Sequence, residues 1–285
     1  MRALFIALVC LAFSLPGRAE STLWEVHGRH NTVYLLGSIH VLRPGDYPLA
    51  PAVLHAYADS KSLVMEINLA DMDSGQVQAE MLGSAMLTGG RTLQDILGPR
   101  RYARAEGLAH EVGVDLAAFD QFAPWFTAEA ISEMQLSQLG FEAQSGVEMH
   151  FLELARGDGK RITGLETVHD QIALFEGLTM DAQADYLVSS LEQARALPQE
   201  VDAMVHAWQR GDTAWFAREL TSEFGQDPAL YQSVLGARNR KWLPRIEALL
   251  NENGNTLVIV GTGHLIGPDS VIELLKKDGI SAVQR

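Results

Sequence analysis

The sequence predicts an α/β fold: a largely parallel or mixed sheet built from the two ends of the chain, with a helical insertion as a cap. Three observations carry that expectation. Thr32-Val33-Tyr34-Leu35-Leu36 and Thr256-Leu257-Val258-Ile259-Val260 are runs of β-branched and aliphatic residues stopped by glycine, the pattern of strands buried on both faces. Each run leads into the same punctuation, Gly37-Ser38-Ile39-His40 and Gly261-Thr262-Gly263-His264. Residues 23–67 alternate strand, helix and strand, as parallel sheets do, whereas helical patterns dominate from about 71 to 251.

In chain order, Leu23-Trp24-Glu25-Val26 and Thr32 to Leu36 flank Gly28-Arg29-His30-Asn31, which reads as a hairpin. Pro51 to Ser60 is a helix opening with proline in its first turn. Leu63-Val64-Met65-Glu66-Ile67 is a third short strand. In the insertion, a helix starts at Pro124-Trp125 and sets Trp125, Ala128, Ile131 and Leu139 on one face. Gly146 to Arg156 and Val168 to Gly177 read as helices separated by a strand-like Lys160 to Leu165. Met180 to Ala196, Val201 to Gln209 and Thr213 to Leu220 follow, punctuated by Pro198 and Gly211-Asp212. Tyr231 to Leu250 is the longest helical pattern, with a kink expected at Pro244. The chain closes with a strand, a helix over Ser270 to Lys277, and a strand over Ile280 to Val283.

Residues 1–19 read as a signal peptide: Met1-Arg2, an apolar run from Ala3 to Leu15, and Gly17-Arg18-Ala19 before a cut. The apolar run is too short for a spanning helix, so no stable membrane span is expected after cleavage. The location is then periplasmic or secreted, and residues 20–285 form one domain with its insertion at about 71–251. The only cysteine, Cys10, lies in this leader, so the mature chain uses no disulfide and any metal site draws on His, Asp and Glu. The formal charge is −14, and it becomes −16 once Arg2 and Arg18 leave with the leader. Such a surface excludes a nucleic-acid partner.

Five residues carry the candidate chemistry. His40 and His264 project from the ends of buried strands, where open α/β sheets place their sites, and imidazole suits metal ligation or proton transfer. Glu66 lies within an apolar strand, where a carboxylate must be paired or metal-bound unless it marks the exposed strand end. Glu148 opens a helix, either as a site acid or as a charge on the helix dipole. Arg238 falls on the apolar stripe of Tyr231, Leu235, Trp242, Ile246 and Leu249, so it either finds a buried carboxylate or snorkels to the rim. Gly261 to Gly267 misses a dinucleotide fingerprint by its spacing, and no serine nucleophile elbow occurs.

Together these motifs resemble the TraB/GumN family, which includes the Tiki proteins. The resemblance rests on Gly37 to His40, Glu66, Pro124-Trp125, Gly146-Val147-Glu148, Gly164-Leu165-Glu166-Thr167, Arg238-Asn239 with Trp242, and Gly261 to Leu265, in that order. At the level of fold it extends to erythromycin esterases and haem-binding ChaN-like proteins. The resemblance implies a metal-dependent hydrolase, by analogy to Tiki peptidases, acting on a peptide or a small ester-like substrate. His40 and His264 would bind a divalent cation (Mn, Co or Zn), with Glu66 or Glu148 completing the set and the other acid as general base. Arg238 would stabilise an oxyanion or clamp a substrate carboxylate. Two other readings stand beside this one: a non-catalytic binder of haem or a signalling peptide, and a metal-free esterase that uses histidine.

Overall fold

The computed structural model describes residues 21–68, 70, 74–225 and 228–285. The expected signal peptide, residues 1–19, lies outside the described residues. Among the described residues no helix is long and apolar enough to cross a membrane.

The fold is α/β, organised on one six-stranded mixed sheet. Its strands are β1 (Leu23–His27), β2 (Thr32–Ser38), β3 (Ser62–Ile67), β4 (Arg161–Glu166), β5 (Thr256–Gly261) and β6 (Ala282–Gln284), in the order β4-β3-β5-β2-β1-β6. The four strands β4, β3, β5 and β2 are parallel, and β1 runs antiparallel to both β2 and β6. The hairpin expected around Gly28 to Asn31 joins β1 to β2. The late strand β5 is slotted between the early strands β2 and β3, so the two ends of the chain interleave instead of meeting at an edge. That order explains why Thr32–Leu36 and Thr256–Val260 are so uniformly apolar: the core members of both runs are buried from both faces.

The helices are α1 (Pro51–Asp59), α2 (Ser74–Ala85), α3 (Leu93–Glu111), α4 (Pro124–Gln138), α5 (Val147–Asp158), α6 (Val168–Glu176) and α7 (Met180–Gln193). They are followed by α8 (Leu197–Gln209), α9 (Thr213–Phe224), α10 (Pro228–Tyr231), α11 (Ala237–Leu249) and α12 (Val271–Lys277). The long insertion divides by the core it feeds. Helices α3, α4 and α7 enclose a core of their own, built on Leu93, Leu97, Ile131, Leu187 and Leu191. Phe151 of α5, Trp208 of α8 and Trp242 of α11 pack instead into the core around the sheet. The insertion is therefore not purely a cap: β4 is a sheet strand, and α5, α8 and α11 cover the sheet.

Local signals set several boundaries. Thr167 caps α6 by accepting from the Asp170 N–H at 3.1 Å, while the Asp170 carboxylate accepts from the Thr167 N–H at 2.9 Å. Helix α8 begins at Leu197, earlier than Val201, because Pro198 fits the first turn, where its missing N–H costs nothing. The expected single helix over Tyr231–Leu250 is interrupted at a different place from Pro244. A π-turn spans Gln232–Gly236, and α11 then runs through Pro244 with Trp242 and Ile246 buried on either side of it. Packing of those two side chains holds the helix across the missing N–H.

Gly146, the residue before α5, lies against the backbone of His40. A Cβ there would stand 2.0 Å from the His40 carbonyl oxygen, and the Val147 N–H donates to the Ile39 carbonyl at 3.1 Å. Gly146→Ala should therefore destabilise the protein by roughly 1–3 kcal/mol, as forced overpacking does. Gly107→Ala, in α3 with open space around it, should stabilise by about 0.5–1 kcal/mol. Denaturant titration of both variants checks the contrast, and matching midpoints would mean that the close approach is not a constraint.

Candidate functional site

The three parallel strands β2, β5 and β3 each deliver one polar residue to the carboxyl end of the sheet. Ser38 and Gly261 are register partners on β2 and β5, which places His40 and the one-turn 3₁₀ segment Thr262–His264 side by side. The Thr262 hydroxyl donates to the Ser38 carbonyl at 2.9 Å and ties the two loops together. Glu66, near the end of β3, accepts the Gly261 N–H on Oε1 at 2.7 Å. A Cβ on Gly261 would stand 3.3 Å from both His40 Nε2 and Glu66 Oε1, and 3.7 Å from His264 Cδ2. The two glycine–histidine motifs therefore meet in space, as their matching strand context suggested, and glycine at position 261 leaves room for them.

Glu148 and His40 form one pair. The His40 Nδ1–H donates to Glu148 Oε1 at 2.9 Å, and the Ser38 hydroxyl donates to the same oxygen. Glu148 is buried, and its Oε2 is buried without a hydrogen-bond partner. The His40 side chain is 65% exposed, so its ring stands open to solvent while its carboxylate partner does not. Proximity of the Glu148 charge raises the His40 pKa to about 9 in spite of burial nearby. Burial works against the Glu148 charge, but His40 and the Ser38 hydroxyl outweigh it and hold that carboxyl below its ordinary value.

Arg238 centres a second group. Its Nη2 donates to Glu66 Oε2 at 2.6 Å and to Glu166 Oε1; its Nε donates to Glu166 Oε2 at 3.3 Å. Its Nη1 donates to the Val234 carbonyl and to His264 Nε2, both at 3.0 Å. Val234 lies in the π-turn, one turn before Arg238 in the chain. All five N–H groups of Arg238 are thus engaged within the protein. It joins Glu66 and Glu166, not Glu148, and the side chain does not snorkel: only 11% of it is exposed.

Burial opposes the Glu66 charge, yet the carboxyl is held down at about 2 by His264, Arg238, His40 and the Gly261 N–H. Arg238, the charged His40 and the Gly261 N–H persist as contributors at neutral pH, whereas burial drives His264 down to about 3 and leaves its ring uncharged. The two histidines therefore differ: His40 is open and readily charged, whereas His264 is 3% exposed and neutral.

Four residues besides the five candidates belong to the cluster. Glu166 ends β4 and also accepts from the Trp242 indole at 3.1 Å. Ser38 orients Glu148, Gln171 donates to Glu66 Oε2 at 3.2 Å, and Asn239 accepts from His264. Glu166 and Ser38 sit inside recognisable motifs, and their signal was a polar residue at the end of a strand. Asn239 sits in the Arg238-Asn239 motif but not at a strand end, and Gln171 has no such signal; each reaches the site through the packing of its helix.

A model of the TraB/PrgY/gumN family matches residues 22–284. The protein YbaP of Escherichia coli (strain K12), described as uncharacterized, is 24% identical over 272 residues, covering 90% of this chain and 97% of YbaP. An uncharacterized protein of Treponema pallidum (strain Nichols) is 21% identical over 279 residues, covering 93% of this chain and 82% of its own length. No solved structure matches the chain.

Two stability measurements test the geometry. Arg238→Met strands two buried carboxylates and should cost roughly 3–5 kcal/mol; an unchanged denaturation midpoint would show that the cluster is not held by this guanidinium. The His40–Glu148 pair gives a pH dependence. A raised folded-state value means that its contribution is whole below about pH 6.5 and is lost as pH rises through about 9. Subtracting the stability of His40→Gln from that of the wild type across this window should give a difference that falls with pH; a flat difference would refute the pairing.

Proposed function

The chain belongs to the TraB/PrgY/gumN family, and from that premise we propose that it is an exported hydrolase in which His40, oriented by Glu148, activates water against a peptide or small ester-like substrate. One observation carries the reading: an exposed imidazole is held through Nδ1 by a buried carboxylate at 2.9 Å, with Nε2 directed toward the other site residues at Gly261. An acid that holds Nδ1–H fixes the tautomer and leaves Nε2 as the proton acceptor, the orienting role of the third group in hydrolytic triads. In its neutral form, the minor one at neutral pH because Glu148 raises the His40 pKa to about 9, His40 Nε2 takes a proton from water as the oxygen attacks the substrate carbonyl, so turnover should rise with pH toward about 9. The resulting imidazolium is stabilised by Glu148 and then returns the proton to the leaving group. Arg238, Glu66 and Glu166 supply a fixed polar wall beside this step and take no part in proton transfer.

The metal-dependent form of the same hydrolysis is the second reading, and two observations favour it. Glu148 Oε2 is buried with no partner. Three carboxylates are buried: Glu66 and Glu166 share Arg238, and Glu148 pairs with His40, an excess of negative charge suited to a cation. The donor types fit a divalent ion, but their positions do not converge: among the described residues no three of His, Cys, Asp and Glu gather around one point. To hold such an ion, His40, Glu148 and Glu66 would have to draw together, with His264 available only if Arg238 left its Nε2. When bound, the ion would lower the pKa of a coordinated water.

Hydrolysis of p-nitrophenyl acetate and of a mixed peptide pool by the purified protein distinguishes these readings. The first expects turnover that survives a chelator and is lost by a factor of about 10²–10⁴ in His40→Ala, the range of general acid–base catalysis. The second expects turnover that a chelator abolishes and Mn²⁺, Co²⁺ or Zn²⁺ restores. Tight ligand binding without turnover would displace both in favour of a binding protein.

A further inference from the structure

Adjacent residues of α11 grip the His264 ring from its two nitrogens. Asn239 Oδ1 lies 2.6 Å from Nδ1, and Arg238 Nη1 lies 3.0 Å from Nε2. We propose that Asn239 is a positioning residue that locks His264 in its Nδ1-protonated, neutral form, so that this imidazole serves as a fixed acceptor for Arg238 and not as a proton carrier.

The argument follows the donors. Asn239 is fully buried, and its Nδ2 donates to the Asp269 carbonyl at 2.9 Å. A flipped amide would set its oxygen against that carbonyl, two acceptors face to face, so Oδ1 must face the imidazole. An amide oxygen only accepts, and Nδ1 of His264 therefore carries a proton. A guanidinium has no acceptor, so Nε2 must offer its lone pair to Arg238. Both nitrogens are thereby assigned, and the ring is neutral. It cannot donate to Glu66, whose Oε1 is 3.7 Å from Nε2, and Glu66 takes Arg238 and the Gly261 N–H instead. The ring also packs against Trp242 at a tilt of 42°, with centroids 4.4 Å apart. Asn239 thus acts through His264 on Arg238, and through Arg238 on the two strand-end acids. Histidines set on matching strand ends are divided in this way between an open base and a closed strut.

The effect on turnover rests on the hydrolase reading; the tautomer does not. Long-range proton–nitrogen NMR of the full chain, with the His264 signals identified by their loss in His264→Gln, reads the tautomer directly. The expected spectrum at neutral pH has His264 protonated at Nδ1 alone. Asn239→Leu should lose the single tautomer. In the p-nitrophenyl acetate assay, Asn239→Leu should lower kcat, with a smaller change in KM. His264 protonated at Nε2 or at both nitrogens in the wild type would overturn the proposal, as would an unchanged tautomer in folded Asn239→Leu. The expected tautomer in a protein that hydrolyses nothing would uphold the lock and count against the hydrolase reading alone.

Discussion

A buried guanidinium holds this site together. Arg238 reaches from α11 to Glu66 at the end of β3, to Glu166 at the end of β4, and to His264 in the turn after β5. These elements come from distant parts of the chain, and each brings a group that would be costly to bury alone. Two carboxylates in the interior need a cation, and a cation there needs acceptors for every N–H. Arg238 meets both demands because its planar fork serves two acids at once while its remaining N–H groups find a backbone carbonyl and an imidazole. The π-turn before α11 supplies that carbonyl, at Val234.

The division of labour between the histidines follows from what surrounds each. His40 lies beyond β2 beside a carboxylate whose second oxygen has no partner, and its ring faces solvent. His264 lies in a tight turn under α11, shut from water by Trp242, Asn239 and Arg238. The same tripeptide spacing after the same kind of strand thus gives opposite electrostatic environments. A charge-ready imidazole and a neutral one stand on either side of Gly261, whose lack of a side chain lets them approach.

The sheet and the outer helices are stabilised separately. Helices α3, α4 and α7 bury Leu93, Ile131 and Leu187 among themselves, while the site is built on the sheet core containing Phe151, Trp208 and Trp242. The residues that shape the cluster thereby stand on strand ends and on helices packed directly against the sheet. That is the rigid part of such a fold, and it suits groups whose distances decide their protonation.

Much of this plan is written locally. Apolar runs stopped by glycine, as in Thr32–Gly37 and Thr256–Gly261, determine buried parallel strands and the loops that carry His40 and His264, because strand burial and glycine's backbone freedom act over a few residues. An acid inside Val64-Met65-Glu66-Ile67 and an arginine on the stripe of α11 are legible for the same reason: each conflicts with its apolar surroundings and so demands a partner. Which partner is chosen is not local. Glu148 paired with His40 and not with Arg238, Glu166 entered the cluster from an edge strand of the insertion, and Asn239 met His264 only because α11 crosses the turn after β5. The helix register was likewise decided by packing, which carried α11 through Pro244 and placed the π-turn where no residue announces it. Sequence alone determines the strands, the exposed-or-buried tension of each polar residue and the family motifs. Tertiary structure decides the pairing of charges and the protonation of each histidine, since both depend on distances of a few ångströms between elements far apart in the chain.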